Sequence, residues 1–396
     1  MNAQGNRRRL VALWFVGASL RTTLLALPPL LPVIGKSYRL APASLAALAN
    51  LPVVLLALSA VAAGAVSAAM GAQRAVLVGL VLVAAGGAAR GFAGSAPSLF
   101  VLTAAMGLGI AVAQTGLPTL AAEWFPQKVG LATAVYGNGI MVAEAAAAGL
   151  TLPLFSLFGG SFRLIFAFWS LPVLLGIFLT GGGRRAALSP GRVPKRPRRP
   201  VWRDGRTWAL GMTQAVGSAT YFAANALLPG YLSATGHKAD LLTALTVLNT
   251  AQLPASVMFL AASERMMRPG AVVGFGTACV AALGVTPYAS GPLLILATGI
   301  AGFSSAIVLL GSLALAPVLG GADEAAQLSG GMFALAYSLS FLAPVAGGLL
   351  WQASGIPSLS FLPPVAVGVL GVSVMAGVLG RQIRAQRASV PPGMGT

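Results

Sequence analysis

Twelve long apolar runs, bounded by charges, prolines or glycines, follow one another along this chain. They lie near residues 10–34, 43–68, 75–93, 97–120, 128–153 and 162–180, and then 206–232, 240–262, 270–288, 291–319, 326–350 and 358–380. About 20 mostly apolar residues suffice for a helix to cross a hydrocarbon layer roughly 30 Å thick. Within that layer every backbone N–H and C=O must find its partner inside the segment, so such runs fold as helices. Charged residues make up 8% of the 396 positions and apolar ones 57%. A soluble chain devotes about a quarter of its residues to charge, so a water-soluble globular domain is excluded. The expected fold is an all-α membrane protein with 12 transmembrane helices in two pseudo-symmetric six-helix bundles. The first bundle spans residues 1–180, a basic linker spans 181–205, and the second spans 206–396 with a short tail.

The formal charge of +18 would suggest a polyanionic partner in a soluble protein, but its placement argues against nucleic acid. Nine of the 25 basic residues (Arg184, Arg185, Arg192, Lys195, Arg196, Arg198, Arg199, Arg203 and Arg206) fall in or beside the linker, while Arg7 to Arg9 and Arg381, Arg384 and Arg387 flank the ends. Basic clusters beside apolar spans are retained in the cytoplasm, which predicts a multi-pass inner-membrane protein with both termini and the linker inside. Under that orientation 19 basic residues are cytoplasmic, and six are not: Arg21, Lys36, Arg39, Arg90, Arg163 and Lys238. The N-terminal run passes Arg21 and Pro28-Pro29 without a small-residue cleavage pattern, so it reads as a retained crossing and not a signal peptide. The single cysteine, Cys279, rules out an intrachain disulfide or a thiolate metal cluster. No Gly-Lys-Ser/Thr phosphate loop is present, so ATP is not the direct energy source. No cofactor, metal or enzymatic reaction is expected.

The halves echo one another: Leu31-Pro32 parallels Leu228-Pro229, and Gly130 with Tyr136 parallels Gly331 with Tyr337. Repeated halves let a central site open to either side by rocking. Six crossings, a basic linker and six more resemble the major facilitator superfamily, whose loop between helices two and three carries a Gly-x-x-x-Asp-Arg-x-Gly signature. The loop here keeps Gly64, Gly71 and Arg74 but has Ala68 and Ala69 at the charged positions. The equivalent second-half loop, with Glu264-Arg265 and Arg268, looks closer to the signature. The resemblance implies a cytoplasmic latch formed by Gly64, Gly71, Arg74, Glu264 and Arg265. Arg21-Thr22-Thr23-Leu24-Leu25-Ala26-Leu27-Pro28-Pro29-Leu30, with Leu117-Pro118 and Tyr136-Gly137-Asn138, is similar to the cyanate and nitroimidazole transporter branch.

An ion inside hydrocarbon must be paired, hydrated or functional. Arg21 lies twelve residues past Arg9, about 18 Å along a helix and so near mid-membrane. A guanidinium can grip a carboxylate or small planar anion through two parallel hydrogen bonds. Glu144, the acid deep in a span, lies about 24 Å along the fifth helix from Lys128, within reach of Arg21 if the two helices adjoin as the family arrangement implies. Its second-half counterpart is Val345. Three arrangements stay open: a structural ion pair, an anion contact (Arg21) with a resting partner or proton carrier (Glu144), or Glu144 facing away from Arg21.

Gln214, Ser218, Tyr221 and Asn225 share one face of the seventh span. That stripe suits either helix association or a watery cavity, and the family places helices 1, 4, 7 and 10 around the path. Gln114 shares a face with Thr103 and Gly107, and Ser304, Ser305 and Ser312 lie in the tenth span. Tyr136 and Tyr337 are candidate cavity residues, while Asn138 either joins them or packs between glycines 137 and 139. The substrate-binding set is therefore Arg21, Gln114, Tyr136, Tyr221, Asn225 and Tyr337. Arg90 and Arg163 are expected to snorkel to head groups, and His237 to be solvated.

The leading expectation is a monomeric secondary transporter, symporter or antiporter, moving a small organic or inorganic anion by alternating access within the lipid bilayer, with a proton as the coupling ion if Glu144 titrates. Efflux of amphipathic or drug-like molecules, with Trp14, Phe222 and Phe333 as walls, is the alternative. A non-transporting sensor or scaffold would need a soluble domain to pass on its signal.

Overall fold

The computed structural model describes residues 3–40, 42–181 and 201–388, and these contain helices and no strand. The first six spans are α1 (Ala3–Leu25), α2 (Pro42–Met70), α3 (Ala72–Ala89), α4 (Ala96–Trp124), α5 (Val129–Leu157) and α6 (Phe162–Gly181). The last six are α7 (Gly205–Ala234), α8 (Leu241–Met266), α9 (Pro269–Val285), α10 (Gly291–Gly321), α11 (Glu324–Ser354) and α12 (Leu362–Ala388). Most of the expected linker, residues 182–200, lies outside the described residues. Asp204 caps α7 by accepting the Arg206 N–H at 2.9 Å.

Among the described residues eleven helices are apolar and long enough to cross a membrane. The remaining span, α7, has 30 residues but loses hydropathy to Thr213, Gln214, Ser218, Thr220, Tyr221 and Asn225. These polar groups can be accommodated because the helix is buried among its neighbours on most of its surface.

The first span departs from the single crossing expected over 10–34. Its α-helix stops at Leu25, a 3-10 turn runs over Pro28–Leu30, and a short helix follows over Leu31–Tyr38. Pro28 and Pro29 have no N–H to continue the ladder. The eighth span is also interrupted, with pieces Leu241–Thr250 and Gln252–Met266 joined at Ala251. Pro254 cannot donate the hydrogen bond that would bridge that joint. Between α10 and α11 the chain reverses at Gly321, whose φ of 60° and ψ of −167° suit glycine alone.

We call the end holding the linker and the N-terminus the linker end. There the two sets of six helices pack closely. A Cβ on Gly64 of α2 would lie 2.7 Å from the Ala326 carbonyl of α11, and one on Gly330 would lie 2.5 Å from that of Ala60. Gly130 of α5 packs against Met267 and Ser263 beyond and within α8. The apolar clusters in this region mix both halves, bringing Leu13, Val16 and Leu117 together with Leu328, Met332 and Phe333. At the opposite end each half keeps its own cluster, one built around Leu30, Ile165 and Phe166, the other around Leu228, Leu248 and Phe361. The molecule is thus sealed between its halves at the linker end.

Candidate functional site

The site begins with the approach of α1 to α5. A Cβ on Gly17 would fall 2.0 Å from the Tyr136 carbonyl oxygen, and one on Gly139 2.2 Å from that of Trp14, so only glycine allows these backbones so close. One turn beyond Gly17, Arg21 points into the seam, and Glu144 of α5 meets it. Arg21 Nε donates to Glu144 Oε1 at 2.8 Å.

The rest of the guanidinium is held by neutral groups. Arg21 Nη1 donates to Gln114 Oε1 of α4 at 3.4 Å, and Nη2 to the Tyr337 hydroxyl of α11 at 3.2 Å. Gln114 Nε2 donates to that same hydroxyl at 2.9 Å. Four residues singled out from sequence, Arg21, Gln114, Glu144 and Tyr337, therefore form one network drawn from α1, α4, α5 and α11. Arg21 is 7% exposed, so its charge would be costly without Glu144. Its two Nη contacts exceed the roughly 2.7–2.9 Å typical of charge-assisted bonds, which makes the Nη edge the part an anion could take over.

Two recesses share Arg21 and Tyr337. One, the larger, is lined by Glu144, Ser218, Tyr221, Phe222, Gln252 and Ser305. The other is lined by Gln114, Tyr136, Ile140, Leu309 and Phe333. The charged wall belongs to the first half; the second half contributes neutral polar and aromatic groups. Val345, at the position corresponding to Glu144, is 46% exposed and adds no charge. Phe333 and Tyr337 stack with centroids 5.9 Å apart, and Phe222 lies tilted 6.2 Å from Tyr337, giving an aromatic wall beside the guanidinium.

Other expected residues are distributed differently. Asn225 lines neither recess; its Oδ1 accepts from Asn249 Nδ2 at 3.1 Å, and Asn249 Oδ1 accepts from Tyr221 at 2.6 Å, so it ties α7 to α8. Gln214 is fully buried and accepts the Ser312 hydroxyl of α10. Ser218 accepts from Ser340 of α11 at 2.9 Å and also borders the larger recess. The stripe on α7 thus serves both association and cavity lining. Asn138 does more than pack between glycines: its Oδ1 accepts from Trp14 Nε1 and its Nδ2 donates to Ser256 Oγ of α8, both at 2.9 Å, which joins the two halves. Trp14 is engaged there and does not line either recess.

Among the expected latch residues, Gly64 sits at the α2–α11 contact, while Gly71 starts α3 with a φ of 85°. Arg74, Glu264 and Arg265 are exposed and form no ion pair among the described residues. Charge pairing at this end occurs instead within the second half, where Arg206 Nη2 meets Asp204 at 2.7 Å and Glu324 at 2.5 Å.

The expectation for Arg90 is overturned. It is 1% exposed and does not reach the surface, whereas Arg163 is exposed over the Phe92 ring and His237 is exposed as expected. The short 3-10 turn over Arg90–Phe92 bends the chain inward and carries the guanidinium under α1. Gln252, Asn249 and Ser256 escaped the sequence reading, although their spacing of three and four places them on one face of the eighth span.

The family model of the Major Facilitator Superfamily matches residues 13–344. An uncharacterized transporter, YycB, of Bacillus subtilis (strain 168) is 23% identical over 347 residues, 85% of either chain. The 2-nitroimidazole transporter of Escherichia coli (strain K12) is 30% identical over 59% of either chain, and its cyanate transport protein CynX is 24% identical over 65% of this chain and 66% of that one. The crystal structure of the E. coli fucose:proton symporter FucP superposes with a TM-score of 0.72 at 14% identity, over 94% of this chain and 97% of that one. The human organic anion transporter MFSD10 gives 0.71 at 15% identity, over 95% and 100%. A twelve-helix body in two halves around a central polar site, matched by family over most of its length, places this chain in the major facilitator superfamily, as a membrane transporter and not an enzyme.

Proposed function

We propose that the protein is a secondary active transporter of a small organic or inorganic anion, working by alternating access with Arg21 as the anion contact. The observation that carries this reading is the Nη edge of a buried Arg21, held by neutral acceptors at 3.2 and 3.4 Å beside a recess. An incoming carboxylate or flat monoanion replaces two neutral acceptors by anionic ones, while Glu144 stays on Nε. Both recesses beside Arg21 are narrow and walled by bulky side chains, which suits a small solute. The named relatives agree in scale, since cyanate and 2-nitroimidazole are both small and planar.

Glu144 is the resting partner of Arg21 and the candidate proton carrier. The distribution of basic residues supports cytoplasmic termini in an inner membrane, which makes the linker end cytoplasmic and this conformation outward-facing. The protein acts as a monomer in this reading.

Uptake of labelled cyanate into proteoliposomes tests it. Arg21→Ala is expected to abolish uptake, and Arg21→Lys to restore little of it, because an ammonium cannot present two parallel donors. Wild-type uptake in Arg21→Ala would remove Arg21 from the site. Efflux of flat, weakly polar molecules is the second reading, favoured by the aromatic surface of Phe222, Phe333 and Tyr337. It predicts 2-nitroimidazole transport that survives Arg21→Ala.

A further inference from the structure

The α1 helix ends short of donors. Pro28 and Pro29 have no backbone N–H, and the Leu27 N–H turns to the Leu24 carbonyl at 3.4 Å, so the Thr23 carbonyl receives nothing from its own helix. Its donor comes from the end of α3, where Arg90 Nη2 bonds Thr23 O at 2.5 Å. Arg90 Nε reaches Gly87 O in the last turn of α3 at 3.4 Å, and the guanidinium lies 4.5 Å from the centroid of Phe166 on α6. Gly87 leaves the room: a Cβ there would stand 3.0 Å from Thr23 Cγ2 and 3.2 Å from Ser170 Oγ.

Arg90 has no acidic partner among the described residues. Its charge is answered by the negative ends of two helices and by an aromatic face. A cation retained at that cost, at the carbonyl two residues after Arg21, is well placed to control where α1 stops.

We infer that Arg90 is a positioning residue that staples the end of α1 to α3 and α6 and thereby holds the Arg21 guanidinium at its station on Glu144, Gln114 and Tyr337. Without the staple the last turn of α1 frays back toward Arg21, and the Nη edge loses its fixed direction. This step rests on Arg21 as the anion contact; the anchoring of α1 does not.

Hydrogen exchange of the full-length protein in detergent micelles reads the staple directly. Arg90→Gln is expected to speed exchange of amides in Leu24–Leu30 by about tenfold, the effect of one lost hydrogen bond to a charged group, with the rest of the first half unchanged. Arg90→Lys should recover part of the protection, and Phe166→Leu, which keeps apolar bulk, should show a smaller rise. In proteoliposomes Arg90→Gln should raise the half-saturating cyanate concentration while leaving the maximal rate within about twofold of wild type. Unchanged exchange at Leu24–Leu30, or a rise shared by all six helices, overturns the staple. Local exchange that rises while half-saturation stays at the wild-type value overturns the link to Arg21. Cyanate uptake surviving Arg21→Ala sinks the anion reading separately, and leaves exchange to decide the anchoring of α1.

Discussion

Arg21 is buried and Glu144 half-buried, and either member of the pair can be removed at small cost only if the other goes too. Glu144→Ala leaves a buried guanidinium without its carboxylate, a change that destabilises by up to about 3 kcal/mol where the pair borders a recess. We expect a marked fall in thermal stability for Glu144→Ala, and recovery of most of it in Arg21→Ala/Glu144→Ala; a double-variant loss equal to the sum of the two single-variant losses would show that the two side chains do not interact. Glu144→Gln keeps a hydrogen-bond acceptor for Nε but cannot titrate. If Glu144 carries the proton, uptake by Glu144→Gln becomes insensitive to pH, and an unchanged pH profile assigns coupling elsewhere. The pair was legible in the sequence because a charge in hydrocarbon announces itself and helical rise gave both residues similar depth. Arg90 was misread for the converse reason. It lies beside glycines at a helix end, where snorkelling is the ordinary solution, and its partners are backbone carbonyls and a ring that no residue pattern records.

At the level of helices, apolar length marked all twelve spans, but not their interruptions or their contacts. Pro28, Pro29 and Pro254 were visible as helix breakers, yet whether a proline bends or ends a membrane helix depends on what satisfies the freed carbonyl. For α1 that is Arg90, a residue 67 positions away from Thr23. The polar face of α7 was equally visible, while its division between Gln214, which binds α10, and Tyr221, which faces the recess, follows from packing alone. Asn138 illustrates the same limit: the bond from its amide to Ser256 crosses between halves whose mutual position the sequence does not contain. Because that bond and the Trp14 contact lie nearer the linker end than Arg21, Asn138→Leu should loosen the seal there. The expected result is faster solvent exchange in the linker-end half of α5 with the Arg21 network intact, and no change would confine Asn138 to local packing.

For the whole molecule, the informative asymmetry is that the halves interlock at one end and keep separate cores at the other. The interlock uses close backbone contact at Gly64 and Gly330, because a glycine pair brings α2 and α11 together without any side chain to reorganise when they part. Charged latch residues are not needed to hold such a contact, which accounts for Arg74, Glu264 and Arg265 standing exposed in this conformation. If rocking about this seam is the transport motion, adding bulk at Gly64 must bias the molecule toward the state in which that end is open. Gln252 offers a reporter, since it is buried at the border of the larger recess and gains access to solvent when that recess opens. With Cys279 replaced by serine, Gln252→Cys should react with a membrane-impermeant thiol reagent added outside intact cells, and adding Gly64→Leu should slow that reaction while speeding labelling in inside-out vesicles. Labelling that ignores Gly64→Leu would mean the α2–α11 contact does not govern access, and preferential labelling from the inside in the parent protein would reverse the orientation proposed from the basic residues.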